Sequence, residues 1–100
     1  MDRPPDPPPQ AQLFLVERYW PEIDEASARI LAGRLARTAH AMTAQGVAVA
    51  HVESILMPRD RVVFSLIVAA DEASVRQLTA RVGAPADRVA LAIRLPDGDP

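Results

Sequence analysis

The chain has 100 residues, a formal net charge of −2 and no cysteine. This length fits one small domain, and the near-neutral charge gives no electrostatic footprint for nucleic acid or an anionic membrane. The absence of cysteine excludes disulfides, thiolate metal ligands and thiol nucleophiles.

Residues 1–11 contain five prolines, so this segment is predicted to be an extended, mobile tail. The N-terminus lacks the apolar stretch of a secretory signal, and no apolar run in the chain is long enough to cross a membrane. We therefore expect a cytoplasmic protein. All eleven basic residues are arginine, a usage that suggests a GC-rich bacterial genome.

A first strand is predicted over residues 12–20, which are rich in apolar and aromatic side chains. Asp24 is a suitable N-cap for the helix that follows, in which apolar residues recur at helical spacing. This helix is predicted to end near Gln45, with Gly46 as its left-handed C-cap.

The second and third strands are predicted to form a hairpin. Segment 46–57 is β-rich, residues 57–60 form a type I turn with proline at its second position, and 61–70 is the third strand. Asp71 caps a second helix, and the alternating segment 87–95 is the fourth strand.

The element order β-α-β-β-α-β predicts an α+β fold, the ferredoxin-like sandwich, over residues 12–95, with 96–100 as a frayed C-terminus. Four antiparallel strands in the spatial order 4-1-3-2 would carry both helices on one face. Nearly every alternating set of strand residues is apolar, whereas a sheet with one solvated face alternates more sharply. We therefore expect a second copy of the chain to cover the other face, as in dimeric α/β-barrels.

Two opposite charges interrupt the first strand, directly before two of its aromatic residues, Tyr19 and Trp20. Glu17 and Arg18 are adjacent, so they must point to opposite sides of the sheet. A charge on a covered face has to be paired or partly solvated. The strands also carry polar or aromatic side chains that are candidate ligand-binding residues. These are Glu17, Tyr19, His51, Glu53, Ser65 and Arg94.

Each of these candidate residues also has a purely structural interpretation. His51 and Glu53 are two residues apart, so they are expected on the same side of the sheet, as an acid–base or metal pair or as a partly exposed edge-strand pair. His40 is expected in the last turn of the first helix, where it favours the helix dipole or binds a metal. His40 and His51 are the candidate metal ligands. Ser65 lacks a nucleophile-elbow motif and is expected to pack as a small residue. Tyr19 and Trp20 line a pocket or, as is more usual for aromatics beside proline at a strand end, belong to the core or an interface.

Three stretches, LFLVERYWP, SILMPRDRVVFSLIVAADEASVRQL and RVGAPADRVALAI, resemble the DUF4242 family over residues 12–95. The resemblance implies a small bacterial ferredoxin-like protein that forms a dimeric α/β sandwich. Some members are described as nickel-binding, with a His-rich first strand, a histidine on each helix and a cysteine in the third strand.

Most of these nickel ligands are missing here. The first strand has no histidine, Ser65 stands where a cysteine often stands, and only His40 is similar to a ligand position. A nickel site within one subunit is therefore not expected. A site shared across a dimer, using His40 or His51 with Glu17 or Glu53, stays open.

The sequence favours a non-enzymatic, dimeric protein of the DUF4242 type that binds a metal ion or small ligand at the sheet face. The alternative is a small dimeric α/β-barrel enzyme, monooxygenase- or isomerase-like, with His51, Glu53 or Glu17 as general base. No nucleophile, phosphate loop or cofactor motif supports it. An RNA-binding domain with the same element order is set aside, because the third strand lacks the aromatic pattern that stacks bases and the net charge of the chain is −2 rather than positive.

Overall fold

The structure is a computed structural model that describes residues 11–98, so the predicted proline-rich tail lies almost entirely outside the described residues. Its elements follow the predicted order. They are β1 (Gln12–Tyr19), α1 (Glu25–Ala44), β2 (Val49–Met57), β3 (Val62–Ala69), α2 (Glu72–Arg81) and β4 (Arg88–Ala92).

The four strands form one antiparallel sheet in the order β2-β3-β1-β4, which confirms the predicted ferredoxin-like arrangement. β1 and β3 are central, and β2 and β4 are the edges. Both helices pack on the same face of this sheet. We call the uncovered side the open face.

The helix boundaries follow from local side-chain chemistry. The carboxylates of Asp24 and Asp71 each accept a hydrogen bond from the backbone N–H three residues later, at 2.7 and 2.8 Å. Both residues cap orphan donors at a helix N-terminus, as predicted. After α1, Gly46 adopts a φ of 97°, which confirms the predicted left-handed glycine.

The core lies between the helices and the sheet. Apolar side chains from alternate positions of the two central strands meet the inner faces of both helices. They are chiefly Phe14, Val16, Val63, Ile67, Leu31, Leu35, Met42, Val75 and Leu78. Leu35 and Leu78 are fully buried, and truncating such a leucine to alanine costs roughly 2–5 kcal/mol.

The predicted β2–β3 hairpin is confirmed, and the turn predicted over residues 57–60 lies in its loop. Met57 pairs with Val62, so residues 58–61 form a four-residue loop, and Arg61 takes a φ of 55°. This conformation is strained for a residue with a side chain. The carbonyl of Arg61 accepts a hydrogen bond from Trp20 N at 2.9 Å, which ties the hairpin to the end of β1.

The fourth strand is shorter than predicted. β4 ends at Ala92, which pairs with Leu13, the second residue of β1. Residues 93–98 have no regular secondary structure, and Ile93 is 79% exposed.

Candidate functional site

The second strand contains an irregularity that separates two of the predicted site residues. His51 pairs with Ile67, but Glu53 pairs with Leu66, so Val52 is an extra residue in the ladder. Such a bulge shifts the alternation of side chains by one. His51 consequently faces the helices and Glu53 faces the open side, and the expectation that they project to the same side is wrong.

His51 belongs to a short hydrogen-bonded chain on the helix side. Its Nε2 lies 2.9 Å from Ser54 Oγ, which lies 2.8 Å from Ser65 Oγ. Ser65 is completely buried, and its hydroxyl thereby has a partner. Burial lowers the pKa of His51 from its ordinary value, although the negative charge of Glu53 opposes this. The neutral imidazole is therefore favoured at neutral pH.

His40 and His51 line the same cavity of about 400 Å³ between α1 and β2. The prediction that His40 lies in the last turn of α1 is wrong. The helix ends at Ala44, and its last turn holds no basic residue. Within residues 11–98, no group of three or more His, Asp or Glu side chains comes together that could hold a metal ion. The two imidazoles alone do not provide a metal centre.

The open face carries Glu17 and Tyr19 from β1. Glu17 Oε2 lies 3.6 Å from Arg88 Nη1 on the neighbouring β4, and the Glu17 side chain is only 15% exposed. A hydrogen bond to Glu17, together with its charge, raises the pKa of Tyr19. Arg94 is exposed beyond the end of β4. The six predicted ligand-binding residues thus do not form one site, since His51 and Ser65 are on the opposite side of the sheet from Glu17 and Glu53.

Arg18 is the charged residue on the helix side, and only 5% of it is exposed. Its Nε and Nη2 donate to the carbonyl of Ala84, at 3.0 and 2.6 Å. Its Nη1 is buried and has no hydrogen-bond partner. None of the ion pairs within residues 11–98 includes Arg18. A buried guanidinium with one carbonyl as its acceptor is left with unused donors and an unpaired charge.

The loop over residues 82–87 that supplies Ala84 is fixed to the end of β1. Asp87 N donates to Glu17 O at 2.9 Å, and Tyr19 N donates to Asp87 Oδ2 at 2.6 Å. These two bonds, with those of Arg18, hold the α2–β4 connection against β1.

A cavity of about 500 Å³ opens beside this guanidinium, between the end of β1, the N-terminal half of α1 and the α2–β4 loop. We call it the Arg18 cavity. Its apolar wall includes Trp20, Ile30, Leu31, Val82 and Pro85, and its polar groups belong to Arg18, Ser27, Arg34 and Asp87. An apolar enclosure with a few convergent polar groups is typical of small-molecule sites.

The charges of the Arg18 cavity suit an anion. Burial lowers the pKa of Arg18, and the nearby carboxylate of Asp87 opposes this effect. Arginine nevertheless stays protonated in proteins. Arg34, exposed on α1, adds a second positive charge to the wall.

Sequence reasoning considered Trp20 as a pocket-lining residue, but it did not select Arg18 or Arg34 as site residues. One signal was available, because Arg18 belongs to the same alternating set of β1 as Phe14 and Val16, which are both core residues. The contribution of Arg34 depends on how α1 crosses the sheet, which no local pattern specifies.

Comparison of the chain with protein-family models, curated proteins and solved structures finds no match. The resemblance to DUF4242 therefore stays a prediction. No helix within residues 11–98 is long and apolar enough to cross a membrane.

Proposed function

We propose that this chain is a non-enzymatic, small-ligand-binding protein of the DUF4242 type, and that it works as a homodimer joined through the open face. The single observation that carries the dimer is the apolar character of this face. Its central residues are aliphatic or aromatic and only half-buried in one chain, namely Leu13, Leu15, Phe64, Leu66 and Val68. At about 25 cal/mol per Å² of apolar surface, covering them favours association.

The charges on the open face are compatible with such a dimer. Glu53 lies on one edge strand and Arg88 on the other, with the Leu15–Leu66 pair between them. A two-fold axis along the strands would place β2 of one copy opposite β4 of the other. Glu53 of one copy would then lie on the same side of the interface as Arg88 of the second, so opposite charges approach each other.

The binding role rests on the helix-side cavities, of about 400 and 500 Å³, which are in the size range of small-molecule sites. We do not assign a metal to either of them, because the residues present offer too few ligands.

Light scattering during size exclusion tests the dimer on the full chain. The wild type should elute with twice the mass of one chain, whereas Leu66→Glu places a charge at the centre of the interface and should give monomer. The matched control is Leu95→Glu, since Leu95 is 83% exposed and lies off the sheet. A wild type that is monomeric at about 100 µM, well above the dissociation constants of stable dimers, would contradict the proposed assembly.

Native mass spectrometry of untagged protein tests the binding role, because it reports assembly mass and any bound species together. A co-purified small molecule released unchanged on denaturation would support the proposal. If no small molecule, co-purified or added, binds to the chain, the binding function is wrong.

An acid–base enzyme is the second candidate, and one observation favours it. His51 is half-buried, is favoured in its neutral form and lines a cavity, as a general base requires. Mass analysis of the bound molecule after prolonged incubation separates the two functions. Conversion that disappears in His51→Gln would identify the enzyme, and an unchanged molecule would identify the binding protein.

A further inference from the structure

We propose that the Arg18 cavity binds an organic monocarboxylate, with its carboxylate on the guanidinium of Arg18 and its apolar body against Trp20. The inference rests on the proposed binding function and is independent of dimerisation. It assigns a ligand class to this cavity. Of the six predicted ligand-binding residues, only Tyr19 lines it.

The first step concerns the unused donors of Arg18. Arg18 is only 5% exposed, its Nη1 is shielded from water and has no hydrogen-bond partner among the residues that the structure describes, and the residue lines a cavity large enough for a small molecule. Removing a charge from water without a direct ion pair is costly, and the nearby carboxylate of Asp87, which forms no ion pair with Arg18, offsets only part of this cost. A planar guanidinium is matched by the two oxygens of a carboxylate, which accept two parallel hydrogen bonds. An anion in the cavity would therefore supply the direct ion-pair partner that Arg18 lacks within residues 11–98.

A purely structural role for Arg18 leaves part of this arrangement unexplained. The carbonyl of Ala84 accepts from Nε and Nη2, which helps to hold the α2–β4 loop. That role needs a hydrogen-bond donor but no positive charge. It also makes no use of Nη1 or of the second arginine, Arg34, in the same wall.

The charge balance of the cavity selects the class of anion. Arg18 and Arg34 supply two positive charges, and Asp87 supplies one negative charge. The net single positive charge is matched by a monoanion, whereas a phosphate dianion exceeds it and is repelled by Asp87 about twice as strongly as a monoanion. The remaining wall is largely apolar, with Trp20, Ile30 and Leu31, which suits a hydrocarbon or aromatic body.

Trp20 provides a direct readout, because it is the only tryptophan of the chain and it lines the cavity. We would titrate the full-length protein with phenylacetate and octanoate while recording tryptophan fluorescence. Phenylacetamide is the uncharged control, and inorganic phosphate is the anionic control. The acids should give saturable changes, and binding of the amide should be at least about tenfold weaker, as expected for loss of a charge-assisted pair.

Three variants test the roles of the arginines. Arg18→Met should weaken acid binding at least about tenfold, and Arg34→Gln should weaken it about threefold, since an exposed charge contributes less than a buried one. Arg37→Gln, an exposed arginine one turn further along α1 that does not line the cavity, should bind as the wild type does. If Arg18→Met fails to fold by circular dichroism, Arg18→Lys and Arg34→Gln keep the test valid.

Equal binding of phenylacetate and phenylacetamide, or unchanged acid affinity in both the Arg18 and Arg34 variants, would overturn the inference. A response to phosphate but not to the acids would also overturn it, while leaving a binding function in place. The absence of any response at millimolar probe would rule out the proposed site. In that case native mass spectrometry still decides independently whether the chain binds another ligand.

Discussion

At the scale of single residues, His51 makes stability depend on pH. Burial lowers its pKa in the folded state below the ordinary value of 6.5, so below that pH the unfolded chain binds more protons than the folded chain. The stabilising contribution of the neutral imidazole is thus complete above about pH 6.5 and is lost as pH falls through the folded-state pKa. The N-cap carboxylates Asp24 and Asp71 have pKa values lowered from 3.8, so the stability that they contribute is lost only at more acidic pH than that of His51.

We predict that the free energy of unfolding falls between about pH 7.5 and pH 5.5, and that His51→Gln removes most of this fall. Urea denaturation of both proteins at several pH values measures it. Parallel curves for the wild type and the variant would show that another group is responsible.

Residue-scale detail is also where sequence reasoning was least complete. The alternation of β1 implied that Glu17 and Arg18 face opposite sides, and the structure places Arg18 on the helix side and Glu17 on the open face. The separation of His51 from Glu53 was not predicted, because it depends on one unpaired residue, Val52, that no local composition marks.

At the scale of elements, the glycines of α1 and its C-terminus have different roles that can be measured. Gly46 follows the helix with a φ of 97°, whereas Gly33 lies inside the helix. A Cβ at Gly33 would lie 3.2 Å from Arg37 Nη1, the end of a flexible, exposed side chain that can move.

We therefore predict opposite effects of two identical substitutions. Gly46→Ala should lower the free energy of unfolding by about 1 kcal/mol, because alanine is strained in the left-handed region. Gly33→Ala should raise it by up to about 1 kcal/mol, because alanine is the better helix former. Thermal or urea unfolding of both variants checks this, and a gain in stability from Gly46→Ala would contradict the assigned cap.

The elements themselves were largely predictable, since each was signalled by local chemistry. Asp24, Asp71 and Gly46 mark helix ends, and the spacing of apolar residues distinguishes helices from strands. The end of β4 was not predictable in this way. Its alternating pattern continues past Ala92, but its pairing with β1 stops at Leu13, the second residue of that strand.

At the scale of the whole molecule, the proposed dimer couples folding to association. A chain that buries its open face only when paired gains stability by mass action. We predict that the midpoint of thermal unfolding rises with protein concentration for the wild type and not for Leu66→Glu. Calorimetry over a hundredfold concentration range measures it, and a midpoint independent of concentration would show that the monomer is the unit of folding.

The bulge at Val52 also limits how large an assembly can become. β2 is an edge strand, and its extra residue breaks the regular row of N–H and C=O groups that an added strand would need. At the other edge, β4 has only five residues. Neither edge strand therefore offers a long, regular backbone to which a strand of another chain could add to form a fibre. The proposed face-to-face pair would cover the open face of both copies, so this contact would close on itself and stop at two chains.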